Sequence, residues 1–476
     1  MHERSSEADL ASILRQDLDR YPVGGRLPSS RALMERHRVS PVTVARAIAL
    51  LAADGLVVSR PGAGVFRAAP QPAVPAAGDT SWQEVALSAE AGVPPARSAD
   101  ATGVFGALAL QPAEVVDLNG GYLHPSLQPE RALSAALARA GRRPGAWSRP
   151  PLEGLPELRA WFARDIGGTI GAADVLVTAG GQSALTTALR SLAAPGAPVL
   201  VESPTYPGLL AVARAAGLRP VPVPVDAAGL RTDLLADAFA ATGARVLACQ
   251  PLFQNPTGAV LSPARRAEVL RIARAAGAFV VEDDFARRLV HADAAPPPPP
   301  LAADDPDGVV VHVRSLTKPT SPNLRVAALA ARGPALERLR AVQAVDSFFV
   351  PRPLQEAALE LVGAPAWAHH LRALSGALQD RRRALAGTLR RLRPELLPAT
   401  LPAGGQHLWL RLPDGTDPHA VAAAALRAGV AVTPGRAYFT AEPPAPHLRV
   451  GFGAAEGTDR LVVAAERLAA ALAGTV

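Results

Sequence analysis

Lys318 is the sole lysine among 476 residues, and the other 48 strongly basic residues are arginine. The two side chains differ in chemistry. A guanidinium stays protonated, whereas an amine on a flexible stem can lose its proton and attack a carbonyl. The apolar run 309–313 leads into Arg314-Ser315-Leu316-Thr317-Lys318, and Pro322-Asn323-Leu324-Arg325 follows. A hydroxyl just before an amine, with an arginine beyond it, suits a Schiff-base lysine beside a phosphate site. A surface lysine left over in a chain rich in Arg, Ala and Pro is the competing reading.

Other segments favour the chemical reading. Gly180-Gly181-Gln182-Ser183-Ala184 follows an apolar run and opens a helical stretch, so its N–H groups and the helix dipole can hold a phosphate. Glu202-Ser203-Pro204-Thr205-Tyr206-Pro207 ends another run with an aromatic able to stack on a planar ring. Asn255-Pro256-Thr257-Gly258 follows a third. Glu282-Asp283-Asp284-Phe285 puts carboxylates at a strand's C-terminal tip, where open α/β sheets bind ligands.

These residues need elements to hold them. Runs at 175–178, 199–202, 246–249, 279–282 and 309–313 read as buried parallel strands. Helical stretches such as 264–276 separate several of them. The expectation is an α/β domain over 116–476 with a mostly parallel central sheet and a smaller α+β lobe from 421 onward. The proline run 296–300 reads as a stiff surface spacer.

Residues 1–67 read as a separate helical unit with a hairpin. Leu10, Ile13, Leu14 and Leu18 fall at helical spacing. Ser29 or Ser30 can cap a second helix bearing Leu33. Ser40 caps a third, with Pro41 at its first position and Val44, Ala47, Ile48 and Leu51 on its buried face. Segments 56–58 and 64–66 flank Arg60-Pro61-Gly62 as a two-stranded wing. Between the units, 68–115 is punctuated by proline and reads as a linker, with a short helix near 82–87.

Composition bounds the class. Hydrophobic residues make up 49% and charged residues 19%, enough to bury large cores in more than one domain. A net charge of +7 permits an anionic partner without proving one. A single cysteine, Cys249, excludes an internal disulfide. No metal-ligand cluster stands out. The polar N-terminus and the lack of a long apolar run lead us to expect a cytoplasmic protein without a membrane span.

The order, spacing and strand-end placement of the chemical residues resemble the fold-type I, aspartate-aminotransferase-like family of pyridoxal 5′-phosphate (PLP) proteins. The resemblance implies roles. Lys318 would form the internal aldimine. Asp283, preferred over Asp284 by alignment on the strand end, would pair with the ring nitrogen. Asn255 would bond the ring hydroxyl, and Tyr206 would stack on the ring. Gly181, Gln182, Ser315 and Arg325 would hold the phosphate. Arg449, in His447-Leu448-Arg449-Val450, lies where the family keeps a carboxylate clamp. Gly121, in Gly121-Tyr122-Leu123-His124-Pro125, matches its substrate-side glycine turn.

The N-terminal unit resembles a GntR-type winged helix-turn-helix. Arg26-Leu27-Pro28-Ser29-Ser30-Arg31 matches the start of that family's second helix, and residues 39–47 match its recognition helix. Thr43 and Arg46 would face the major groove, and Arg31 and Arg60 would grip phosphates. Both halves in this order resemble the MocR/GabR regulators. Pro41, Phe285, Arg314 and His124 depart from common residues of that family. The implied function is a homodimeric, PLP-dependent regulator that binds operator DNA and senses an amino compound or PLP at Lys318. The alternative is a working aminotransferase with an N-terminal appendage.

Overall fold

Two serines set the frame of the N-terminal unit. Ser29 Oγ accepts from the Ala32 N–H at 3.2 Å, and Ser40 Oγ accepts from the Thr43 N–H at 3.1 Å. Each such cap is worth about 1 kcal/mol. They start α2 (Ser30–His37) and α3 (Pro41–Ala53), which join α1 (Glu7–Asp17). Leu10, Leu14, Leu18, Leu33, Val44, Ala47 and Leu51 close one core. Ile13 shares the spacing but is 43% exposed, because Ala11 and Leu14 take the inner face of α1. Strands β1 (Val57–Arg60) and β2 (Gly64–Arg67) pair antiparallel as the expected wing.

The computed structural model describes residues 7–60, 62–69 and 100–474. Pro61 of the wing turn, the helix expected near 82–87 and most of the expected linker lie outside them. The chain divides into compact units Met1–Ala89 and Glu90–Val476.

The C-terminal end of the expected linker has structure of its own. Helix α4 (Thr102–Leu108) packs against the helix Pro207–Ala215 and the turn Gly435–Tyr438. Gly103 permits this approach, since a Cβ there would lie 3.0 Å from Ala437 Cβ and 3.1 Å from Pro207 Cβ. Seven residues with two glycines are too few for a helical period to show in sequence.

In the second unit, strand β3 is Val116–Asp117. The central sheet is built from β4 (Val175–Thr178), β5 (Pro198–Ser203), β6 (Arg219–Asp226), β7 (Gly229–Leu230), β8 (Val246–Cys249), β9 (Phe279–Asp283), β10 (Val310–Ser315) and β11 (Ala327–Ala330), in the order β4-β11-β10-β9-β8-β5-β6-β7. The pairs β10/β9, β9/β8, β8/β5 and β5/β6 are parallel, and β11 runs antiparallel between β10 and β4. Helices cover both faces. Val175, Val177 and Val280 belong to one core, while Leu176, Val281 and Val311 belong to the other.

Two boundaries differ from expectation. The smaller lobe is not confined to 421 onward: its sheet joins β12 (His407–Arg411), β15 (His447–Gly451) and β14 (Thr433–Pro434). The helix Pro365–Leu392 packs on Thr458–Ala473, and β3 pairs in parallel with β13 (Val430–Ala431). Nor is 296–300 a free spacer. The carbonyls of Pro298 and Pro299 accept from Arg287 and Arg266, and Pro300 is buried.

Candidate functional site

Because β4, β5, β8, β9 and β10 run in one direction, their carboxyl ends share one edge of the sheet. The segments after them bring Gly181 and Gln182, Tyr206, Asn255, Asp283, and Ser315 with Lys318 to that edge. Strand β11 runs the other way, with Ala327 beside both Thr178 and Ser315, so Arg325 just ahead of it arrives at the same edge. Gly121 and Arg449 complete one cleft with all of these residues.

At its floor, Lys318 Nζ donates to Gly121 O at 2.6 Å and lies 4.3 Å above the Tyr122 ring. Desolvation, then the positive charge of Arg449, lowers its pKa to about 8. Burial pushes the Asp283 carboxyl up to about 6, against a 2.6 Å bond from Gln250 Nε2. Asp284 points elsewhere, into ion pairs with Arg287 and Arg314. The strand's alternation separates the two acids and leaves Asp283 facing the cleft. Arg314 is fully buried between Asp284 and Asp165, so this departure serves the sheet rather than the cleft.

Gln250 is a residue the sequence reading missed. Its amide also fixes Asn255, whose N–H donates to Gln250 Oε1 at 3.0 Å. Beneath it, Glu202 accepts the Gln250 N–H and a bond from Gln254, and burial raises its pKa to about 7. An amide directly after the strand Val246–Cys249 is the sole signal that pointed to Gln250, and it is a weak one.

The far end of the cleft gathers groups that could hold an anion. Helix Gly181–Leu192 begins there, with its first N–H groups free of helical partners. Tyr206 Oη donates to Gln182 Oε1 at 3.2 Å, and burial raises the phenol's pKa. Arg325 donates to Ala179 O at 2.9 Å and holds a left-handed backbone with φ of 49°. Such strain in a non-glycine residue persists where surrounding structure fixes it, often at a ligand site. Gly180 makes room, since a Cβ there would come within 2.7 Å of the Arg325 guanidinium. Thr317 Oγ1 is buried, lines the cleft and has no hydrogen-bond partner among the described residues. Ser315 accepts the Thr317 N–H at 3.2 Å.

On the opposite wall, Arg449 is buried and held from three sides. It donates to Asn255 Oδ1 at 3.1 Å, Asn119 O at 3.2 Å and His407 Nδ1 at 3.5 Å. Burial and the Arg449 charge keep His407 neutral, well below the usual histidine range. Phe285 lines the cleft as an apolar wall. His124 instead caps its own short turn through Ser126.

The four candidate DNA contacts lie on three elements of the head. Thr43, on α3, bonds Ser40 Oγ at 2.8 Å. Arg46, one turn on, pairs with Glu7 at 3.0 Å, and Arg31 on α2 pairs with Glu35 at 3.2 Å. Arg60 on the wing lies 4.8 Å over the Phe66 ring. The two ion pairs are exposed, so they cost little to exchange for contacts to DNA.

Residues 113–468 match the family described as aminotransferase class I and II, and residues 7–66 match the bacterial regulatory proteins of the gntR family. Over 450 residues the chain is 29% identical to the uncharacterized HTH-type transcriptional regulator YdcR of Escherichia coli, covering 91% of this chain and 92% of that protein. Over 330 residues it is 31% identical to PtsJ, the vitamin B6 salvage pathway transcriptional repressor of Salmonella typhimurium, covering 69% and 73%. Its fold matches LysN, the α-aminoadipate aminotransferase of Thermus thermophilus complexed with N-(5′-phosphopyridoxyl)-L-leucine. The TM-score is 0.74 at 28% identity, over 83% of this chain and 99% of that one.

Proposed function

We propose, because this chain belongs to the aminotransferase class I and II family of PLP proteins and carries a gntR-family head in the MocR/GabR arrangement, that it is a transcriptional regulator reading an amino compound, or PLP itself, at Lys318. One observation carries the reading. A DNA-binding head shares its chain with a cleft that keeps Lys318, Asp283, Asn255 and Arg449 together.

The cleft suits PLP. The orphan hydroxyl of Thr317 and the start of the helix Gly181–Leu192 offer donors to a phosphate, with Ser315, Gln182 and Arg325 around them. PLP, when bound, supplies an aldehyde carbon and a ring that draws electrons. Lys318 is the amine that meets the aldehyde, and its lowered pKa raises the neutral fraction near pH 7. Asp283 would meet the ring nitrogen, where a cation would hold the carboxyl ionised. Tyr206 would stack on the ring and Asn255 would bond its hydroxyl. Arg449 would hold the carboxylate of an amino acid, whose amine would compete with Lys318 for the aldehyde carbon. Gly121 leaves that side of the cleft open.

Thr43 and Arg46 read bases, and Arg31 and Arg60 hold phosphates of operator DNA. The protein acts as a homodimer, since two tethered heads bind a two-fold operator at high effective concentration. Light scattering at micromolar protein with PLP present checks this, and a monomer counts against it.

The test is fluorescence anisotropy on the chain's own upstream DNA, with and without PLP and then with amino acids. Binding that shifts with PLP or an amino acid in wild type, but not in Lys318→Ala, is the expected result. DNA binding indifferent to both rejects the reading. An aminotransferase reading has one observation in its favour: an amine with its pKa near 8 is also suited to proton transfer. A slow half-reaction would accompany regulation without replacing it.

A further inference from the structure

We infer that Asn119 is a positioning residue that ties the two ligand-facing cations of the cleft to α4, the helix at the C-terminal end of the expected linker. The inference rests on the functional reading above.

The backbone of residues 119–121 is the shared support. Arg449 Nη1 donates to Asn119 O at 3.2 Å, and Lys318 Nζ donates to Gly121 O at 2.6 Å. These are the two cations that an amino acid's carboxylate and the cofactor's aldehyde would claim. A ligand event at either cation therefore bears on the same three-residue segment. The segment is anchored upstream, where Asp117 Oδ1 accepts the N–H groups of Asn119 and Gly120, both at 2.8 Å. Gln406 Nε2 also holds Gly121 O, at 2.7 Å.

The Asn119 side chain leaves that segment in the other direction. Its Nδ2 donates to Gly106 O in α4, and its Oδ1 accepts from the Thr433 hydroxyl. Gly106 lies in the last turn of α4, where carbonyls have no helical partner, so Asn119 satisfies a group the helix cannot. The amide is buried, and leaving its partners unpaired there is costly. Helix α4 is itself a wall of the cleft through Val104 and Leu108. A shift of residues 119–121 is thus carried into α4 by one side chain, fixed at both of its polar atoms.

The test uses the full chain and PLP as the probe. Backbone hydrogen exchange across Thr102–Leu108 is followed by mass spectrometry before and after PLP is added. In wild type PLP changes the exchange by about tenfold, of the order that one hydrogen bond gained or lost produces. Asn119→Ala keeps the backbone carbonyl that holds Arg449. It therefore binds PLP with wild-type stoichiometry and visible absorbance, while exchange in α4 changes by less than about twofold. Thr433→Val, which releases the amide's second anchor together with the Thr433 hydroxyl's bond to Tyr438, falls between the two and decides the matter if Asn119→Ala does not fold. An α4 response equal to wild type in the variant that folds overturns the inference. So does loss of PLP binding in both variants, which would make the contacts merely structural. Wild type that stays colourless with PLP defeats the functional reading and this inference with it. Coloured wild type with an unresponsive α4 defeats this inference alone.

Discussion

Lys318 and Asp283 sit in the same cleft, and burial pushes both toward their neutral forms. The lysine's pKa falls from 10.5 to about 8, so between those values the unfolded chain keeps a proton that the native state has shed. Stability therefore rises with pH across that window, and Lys318→Met removes the rise. The carboxyl's pKa climbs from 3.8 to about 6, so the native state holds a proton there that the unfolded chain has lost. Its contribution is full below pH 3.8 and is lost as pH passes 6; Asp283→Asn flattens that slope. Urea midpoints of the PLP-free protein against pH measure both effects. PLP binding should weaken below about pH 6, where Asp283 is protonated and cannot face a ring cation. Borohydride should then fix PLP to one peptide, the one bearing Lys318, and Lys318→Ala should leave nothing fixed. A wild-type protein that stays colourless with PLP would refute the assignment. The sequence made Lys318 legible because it stands alone among arginines. It hid Gln250, because an amide carries no compositional signal and its worth comes from touching Asp283 and Asn255 at once.

Strands with both faces buried were the easiest elements to read. The runs at 175–178, 246–249 and 279–282 are continuous apolar stretches, and they became β4, β8 and β9 to within a residue. Strand β6 was hidden by Pro220, Pro222 and Pro224. These alternate with the valines, so the missing N–H groups all fall on the side away from β5. Strand β11 was hidden because Ala327-Ala328-Leu329-Ala330 reads as helix-forming, and its burial between β10 and β4 overrides that propensity. Helix α3 was legible from its serine cap and apolar period, and it carries its own prediction. Arg46→Ala should lose about 1–3 kcal/mol of discrimination between operator and random DNA. Arg60→Ala on the wing should weaken binding to all sequences alike and lower the salt slope by about one. Competition binding at several salt concentrations separates the two patterns, with PLP absorbance unchanged in both variants. Thr43→Ala is a weaker probe of base contact, since its hydroxyl also bonds the capping Ser40.

A regulator made from an enzyme fold needs a ligand whose binding differs between two states of the whole chain. Arg449 is the group that most narrows the ligand's class. Its guanidinium is fixed by Asn255, Asn119 and His407 before any ligand arrives, so little ordering cost remains when a carboxylate comes. His407 stays neutral beside it and adds no rival charge. An amino acid would therefore gain two attachments, at the PLP carbon for which it competes with Lys318 and at Arg449, whereas PLP alone gains nothing from the second. Arg449→Ala should lower amino-acid affinity by about 2–5 kcal/mol, the usual loss for one partner of a desolvated charge pair. It should leave PLP attached, because Asp283, Tyr206 and the donors around Ser315 lie on the other walls. Spectral titration of wild type and Arg449→Ala with α- and ω-amino acids measures this directly. A shift in wild type that the variant loses identifies an amino-acid sensor. No spectral response in wild type to any amino acid, with DNA binding that follows PLP occupancy, rejects the clamp and leaves PLP itself as the signal.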